Sequence, residues 1–349
     1  MKQVLLISLV VACGSSTPAP VVPPATPPEA PAPVAMRPPE PPPPPPPAVG
    51  HPDQSLIPRS VLFGNPERTR VEISPDGKQL AWLAPKDGVL NVWVAPIGKL
   101  DQAKPVTSDT KRPIRGYSWA YTNKHILYQQ DNAGDENFHV FRVDLADGKT
   151  TDLTPYPKAR ASIDGLSDTA PTTISVGIND RDPKVFDEYT IDLTTGARTL
   201  TALNDQEFGG FVLDTQLHPR FATKSMPDGG AEIYVTDVVK KPPADGKLTW
   251  KLFDKVPFED FAGTNVLGVA PGGKAVYMTD SRASDTGAVV SVDIATKKQT
   301  SIATDPKAEA GDTIFDPHTG KLQAVAFDYT AHALAGARQV DRRRHRRHR

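Results

Sequence analysis

The sequence predicts an all-β fold, a β-propeller of four-stranded antiparallel blades, on three observations. Apolar and polar residues alternate with period two from Ser60 onward. Tight turns rich in Pro, Asp and Gly punctuate that alternation. The combined unit then recurs through the chain, which is the signature of radially repeated sheets.

The first unit shows each element in order. In "RVEISPDGKQLAWLAP", Val71 and Ile73 alternate up to a turn at Ser74-Pro75-Asp76-Gly77-Lys78, and the chain returns through Leu80 and Trp82. Proline presets φ for the second turn position and Asp-Gly tolerates positive φ, so the chain reverses there. A second hairpin, "GVLNVWVAPIG", alternates Val92 and Val94 with Asn91 and Trp93. Similar turns follow in "SWAYTNKHILYQ", "DTAPTTISVGI", "QLHPRFATKS", "GVAPGGKAVYMT" and "IFDPHTGKLQAVAF". Pro75, Pro171, Pro219, Pro271 and Pro317 are 96, 48, 52 and 46 residues apart, and Tyr121-Thr122-Asn123-Lys124 fills the first, doubled interval. Outer hairpins with D-G or T-G turns, such as "FHVFRVDLADGKTTDLT", "FDEYTIDLTTGARTLTAL" and "VVSVDIATKKQTSIA", complete four strands per unit. Six units begin near Val71, Tyr117, Leu166, Phe211, Val266 and Thr313. The pattern places the propeller at 57–329 and makes the sixth unit incomplete, because alternation stops after Phe327-Asp328-Tyr329. No helical periodicity of useful length competes with this reading.

The N-terminal part has a different character. Of 37 prolines in 349 residues, 17 lie between Pro18 and Pro47, so residues 14–56 are expected to form a disordered, polyproline-rich tether. At ~3.1 Å per residue, thirty such residues span up to ~90 Å. Before it, "MKQVLLISLVVACGSS" has a basic start at Lys2, an apolar run from Val4 to Ala12 and then small residues. The run is far shorter than the ~20 residues of a membrane-spanning helix, so residues 1–13 read as an export signal. Val10-Val11-Ala12-Cys13 resembles a bacterial lipobox, which makes Cys13 the candidate lipid-attachment residue and places the protein on the bacterial envelope. Gly14, rather than an aspartate, points to the outer membrane. The alternative is an ordinary signal peptide with an incidental cysteine. With no second cysteine, an intramolecular disulfide and a cysteine metal cluster are both excluded. A formal net charge of -1 argues against a dedicated nucleic-acid binder.

The repeats by themselves specify a fold and no function. The phrases "LFGNPERTRVEISPDGKQLAWLAPKDGVLNVWVAPIG", "DNAGDENFHVFRVDL", "DLTPYPKARASI" and "VGINDRDPKVFDEYTIDLTTGARTL" narrow the choice. They resemble the N-terminal propeller of bacterial serine peptidases of the prolyl oligopeptidase family, of the dipeptidyl aminopeptidase or acylaminoacyl peptidase type. The resemblance implies a propeller that filters peptides for an α/β-hydrolase domain carrying a Ser-Asp-His triad, with the serine in a G-x-S-x-G elbow. Here Gly116-Tyr117-Ser118-Trp119-Ala120 and Gly165-Leu166-Ser167-Asp168-Thr169 both lack the final glycine. Residues for a hydrolase domain of roughly 200 or more are also missing. No catalytic, cofactor-binding or metal-ligating residue is therefore assigned, and this chain is expected not to hydrolyse peptides by itself. The partners implied are peptides, the hydrolase domain, and a membrane through lipidated Cys13. A stand-alone propeller lipoprotein of the TolB kind, binding a protein or peptide, is the other reading.

Other candidate chemistry is weaker. Asp131, Asp135, Glu136 and Asn137 invite a calcium site, but Ala133 and Glu136 occupy positions where a calcium loop needs Asp/Asn and Gly, so a solvated hairpin loop is expected. "NDRDPK" (Asn179 to Lys184) reads as a polar inter-strand loop. His51, His125, His139, His218 and His318 are scattered without ligand spacing. Trp82, Trp93 and Trp119 fit blade packing better than base stacking.

The segment 330–349, "TAHALAGARQVDRRRHRRHR", holds seven arginines in its last twelve residues. It reads as a polyanion-binding arm, a solvated extension, or the out-of-frame translation of a GC-rich gene. The abrupt end of the repeats at Tyr329 favours the last, with a disordered tail and an interrupted blade.

Overall fold

A computed structural model describes residues 59–329 and 332–336. The signal segment 1–13 with Cys13, the tether 14–56 and residues 337–349 lie outside the described residues. A five-residue helix, α1 (Arg59–Phe63), precedes the first strand; two 3-10 turns, Leu100–Gln102 and Phe258–Asp260, interrupt what is otherwise antiparallel sheet and its connections.

Six successive meanders form the blades. Blade 1 contains β1 (Thr69–Ile73), β2 (Gln79–Lys86), β3 (Val89–Pro96) and β4 (Lys104–Pro105). Blade 2 contains β5 (Tyr117–Trp119), β6 (His125–Gln130), β7 (His139–Asp144) and β8 (Thr150–Asp152). Blade 3 is β9 (Ala161–Leu166), β10 (Thr173–Asp182), β11 (Val185–Asp192) and β12 (Arg198–Ala202). Blade 4 is β13 (Gly210–Leu213), β14 (Pro219–Ser225), β15 (Ala231–Val235) and β16 (Lys251–Val256). Blade 5 runs through β17 (Asn265–Val269), β18 (Ala275–Asp280), β19 (Ala288–Asp293) and β20 (Gln299–Ala303). Blade 6 has β21 (Ala310–Phe315), β22 (Leu322–Asp328) and β23 (His332–Gly336). The β-propeller predicted from the repeats is thus the fold, with five four-stranded sheets and one of three strands among the described residues.

The final sheet differs from expectation at its edge. The sequence predicts that the propeller breaks off at Tyr329 and that 330–349 is a disordered tail, yet within that segment β23 pairs with β22 from Asp328↔His332 to Ala324↔Gly336. A five-residue strand needs only backbone donors and acceptors and a partner edge, which β22 supplies, so the weak alternation of "HALAG" is enough.

The turns form as their residues dictate. Gly77 takes φ 71° and its amide bonds the Ser74 carbonyl at 2.8 Å, while the Ser74 hydroxyl donates to Asp76. In blade 2, Asn123 fills the same left-handed position at φ 58°. Blade 4 departs from the pattern: its turn is Asp214 to Leu217, and Pro219 opens the following strand. The segment Asn179 to Lys184 also departs, because β10 continues through Asp182 and pairs with Val185, so most of the expected loop is strand.

Packing explains why several middle strands do not alternate strictly, whereas β18 does. Ala81, Trp82, Leu83 and Ala84 are consecutive and all buried, as are Ile174 to Ile178 of β10. These stretches of β2 and β10 are covered on both faces, and a doubly covered strand has no solvent side. The apolar clusters accordingly span neighbouring blades: Ile126 with Leu83, Ile174 with Leu127, Phe221 with Met278, and Val289 with Val325. Polar ties reinforce the joins. The Tyr117 hydroxyl donates to the Arg70 carbonyl at 2.6 Å, Gln129 to Ala161 at 2.9 Å, Thr169 to Thr215 at 2.6 Å, and Lys297 to Phe253 at 3.0 Å.

Candidate functional site at the inner strands

The first strand of each blade lies at one edge of its sheet, and three of these strands, β1, β5 and β9, enclose a cavity of about 390 Å³. Its wall includes Arg70, Tyr117, Tyr128, Gln129 and Asp164. Arg70 sits at φ 50° where the pairing of β1 with β2 slips between Thr69 and Glu72. A left-handed arginine is costly, and the hydrogen bond from Tyr117 to its carbonyl holds it there. That slip leaves Val71 and Ile73 exposed, at 59% and 61%. Burial raises the Tyr117 phenol above its ordinary value, with the Glu72 charge adding to the effect.

The same inner surface carries a carboxyl pair. Glu188 of β11 is buried, and its Oε1 accepts a hydrogen bond from Ser175 at 2.5 Å. Burial raises the Glu188 carboxyl well above the usual carboxylate range, and the charge of neighbouring Asp164 pushes in the same direction. Asp164 keeps surface toward the cavity, but the surrounding walls desolvate it and raise it as well. Two crowded carboxyls hold one proton readily, because ionising both would place like charges in a poorly solvated space. Gly177 makes the arrangement possible: a Cβ there would stand 2.5 Å from Asp164 Oδ2.

A second cleft, about 630 Å³, opens where the inner hairpins of blades 1, 2, 3 and 6 converge. Here His318 of blade 6 faces Asp168 of blade 3, with Nδ1 3.1 Å from Oδ2. Burial and the Asp168 charge raise the Tyr121 phenol at the same place.

Ser118 lies on β5 and Ser167 follows β9, where its hydroxyl donates to the Thr215 carbonyl. Asp135 and Glu136 are exposed, as expected of a solvated loop. Asp131 is not: its side chain is fully buried, with Arg112 Nε 2.9 Å from its carboxylate. A guanidinium occupies the position a cation would need. Among the described residues no group of three or more His, Cys, Asp or Glu side chains is arranged to hold a metal. His125, His139, His218 and His318 each face an aspartate, at 3.8, 2.7, 3.2 and 3.1 Å; His51 is outside the described residues. Trp82 and Trp119 are buried packing residues and Trp93 is half-buried. Sequence reasoning does not find the carboxyl pair; the available signal was a glutamate beside an aspartate inside the strand run "VFDEYTID", three consecutive residues of which, Asp187 to Tyr189, are buried.

No family model matches the chain. It is 47% identical over 274 residues to a dipeptidyl aminopeptidase BIII of Pseudoxanthomonas mexicana, covering 78% of this chain and 39% of that protein. It is 28% identical over 284 residues to a dipeptidyl peptidase family member 6 of Caenorhabditis elegans, covering 78% of this chain and 38% of that one. Among solved structures, the dipeptidyl peptidase 4 of Porphyromonas gingivalis superposes with a TM-score of 0.48 at 15% identity, over 75% of this chain and 42% of that chain. The chain therefore spans about two fifths of the length of these curated relatives. Over its blades the chain is thus similar to a dipeptidyl aminopeptidase, in keeping with the resemblance that its sequence phrases carry.

Proposed function

We propose that this chain is the substrate-gating propeller of an exported serine peptidase of the prolyl oligopeptidase type. In this reading the inner strands admit short or unstructured peptides, and the hydrolytic step belongs to the Ser-Asp-His triad of an α/β-hydrolase domain. The carrying observation is the 47% identity over 274 residues with a dipeptidyl aminopeptidase. The blades support it physically. Apolar clusters join blade 1 to blade 2 and blade 2 to blade 3, so the inner strands are carried on packed sheets. Export and anchoring through Cys13 complete the proposal.

A domain exchange tests it. Replacing the matched 274 residues of the Pseudoxanthomonas enzyme with those of this chain is expected to retain cleavage of a dipeptidyl nitroanilide and to reject a folded protein substrate. The 349-residue chain alone is expected to show no cleavage. Hydrolysis by the chain alone, or a chimera that cleaves folded and unfolded substrates equally, overturns the reading. For the anchor, Cys13→Ser is expected to move the protein from the membrane fraction of a bacterial host to the soluble fraction.

A further inference from the structure

We propose that the cleft shared by blades 1, 2, 3 and 6 is a binding site for a peptide segment bearing a basic side chain. The inference rests on the gating reading and adds a substrate preference to it.

The cleft is lined by Glu72, Ile73, Asp76, Trp119, Tyr121 and Asp168, among others, and no lysine or arginine is in that lining. Three carboxyls without an internal cation make the space attractive to positive charge. Charges near its rim offset this only in part. Lys78, highly exposed, pairs with Asp76 at 3.5 Å, Arg70 lies near Glu72, and His318 faces one oxygen of Asp168.

Two polar atoms in the wall lack partners. Trp119 is 5% exposed, and its indole Nε1 finds no acceptor. Asp168 Oδ1 is buried and finds no donor. Buried polar groups without partners are uncommon in folded proteins and call for an explanation. A ligand supplies one here. The indole N–H donates to a backbone carbonyl of an extended peptide, and Asp168 Oδ1 receives an ammonium or guanidinium from a neighbouring side chain. Ile73, 61% exposed beside the same cleft, and the Tyr121 ring cover the methylene stem of that side chain.

The test uses the full 349-residue chain and two peptides blocked at both ends, acetyl-Ala-Lys-Ala-amide and its norleucine counterpart, with binding followed by calorimetry. Blocking removes terminal charges, so the two probes differ only in the side-chain cation. The lysine peptide is expected to bind about tenfold or more tighter, the scale of a charge-assisted hydrogen bond. Asp168→Asn is expected to erase that preference, and Trp119→Phe to weaken both peptides by about fivefold. His318→Ala, at an exposed position, is expected to strengthen lysine-peptide binding by removing the competing imidazole. Equal affinity for the two peptides, or a preference that survives Asp168→Asn and is unmoved by His318→Ala, overturns the proposal. Hydrolysis is not the readout, so failure here is distinct from failure of the domain exchange.

Discussion

Glu188 looks in sequence like one more polar residue of an outer strand, and in the fold it is among the most buried side chains. Its carboxyl is raised by burial first and by Asp164 second, so the folded chain binds its proton more tightly than the unfolded chain does. In the window from the ordinary glutamate value upward, the native state holds more protons, and stability falls as pH rises through that window. Glu188→Gln stays neutral at every pH, keeps an acceptor for Ser175 and offers an amide N–H to Asp164. The variant is expected to match the parent in thermal melts near pH 5 and to exceed it increasingly toward pH 8. A gap that shrinks with rising pH would contradict this assignment of the buried proton.

At the scale of elements, the hairpin turns are the most local feature and the most legible. Asp192, Asp293 and Asp316 each accept from the amide three residues on and from the hydroxyl of Thr195, Thr296 and Thr319. These bonds hold the three carboxylates below their usual range. Everything needed for that turn is written in five consecutive residues, which is why "DLTTG" and "DPHTG" could be read directly. Close approach between blades is not local. A Cβ on Gly165 of β9 would stand 2.7 Å from Leu213 and 2.9 Å from Leu217 of blade 4. Gly165→Ala is expected to destabilise by about 1–3 kcal/mol through overpacking, measured as a lower denaturant midpoint at unchanged slope.

For the whole molecule, stability resides between blades as much as within them. Phe221 is fully buried and meets Phe253 edge-on at 5.2 Å inside the cluster joining blades 4 and 5. Phe221→Ala is expected to cost about 3–5 kcal/mol in equilibrium unfolding. Val71→Ala, on the open face of β1, is expected to change stability by no more than about 0.5 kcal/mol. Sequence alternation gives both positions the same hydrophobic weight; only the neighbouring blade distinguishes them.

The sequence by itself determined the repeats, most of their starts and most of the residues that turn the chain, because period-two alternation and positive-φ positions are properties of neighbouring residues; the third unit starts at Ala161 rather than near Leu166, and the blade 4 turn lies ahead of Pro219. It also carried the family resemblance over most of the propeller. The tertiary structure decided the partners. Asp168 and His318 are 150 residues apart, Glu188 meets Asp164 across two strands, Asp131 is neutralised by Arg112, and Trp119 ends with its N–H unpaired in a cleft of four blades. Such pairings depend on how rigid sheets stack, and stacking is set by the summed shape of many side chains, a quantity no short window of sequence contains.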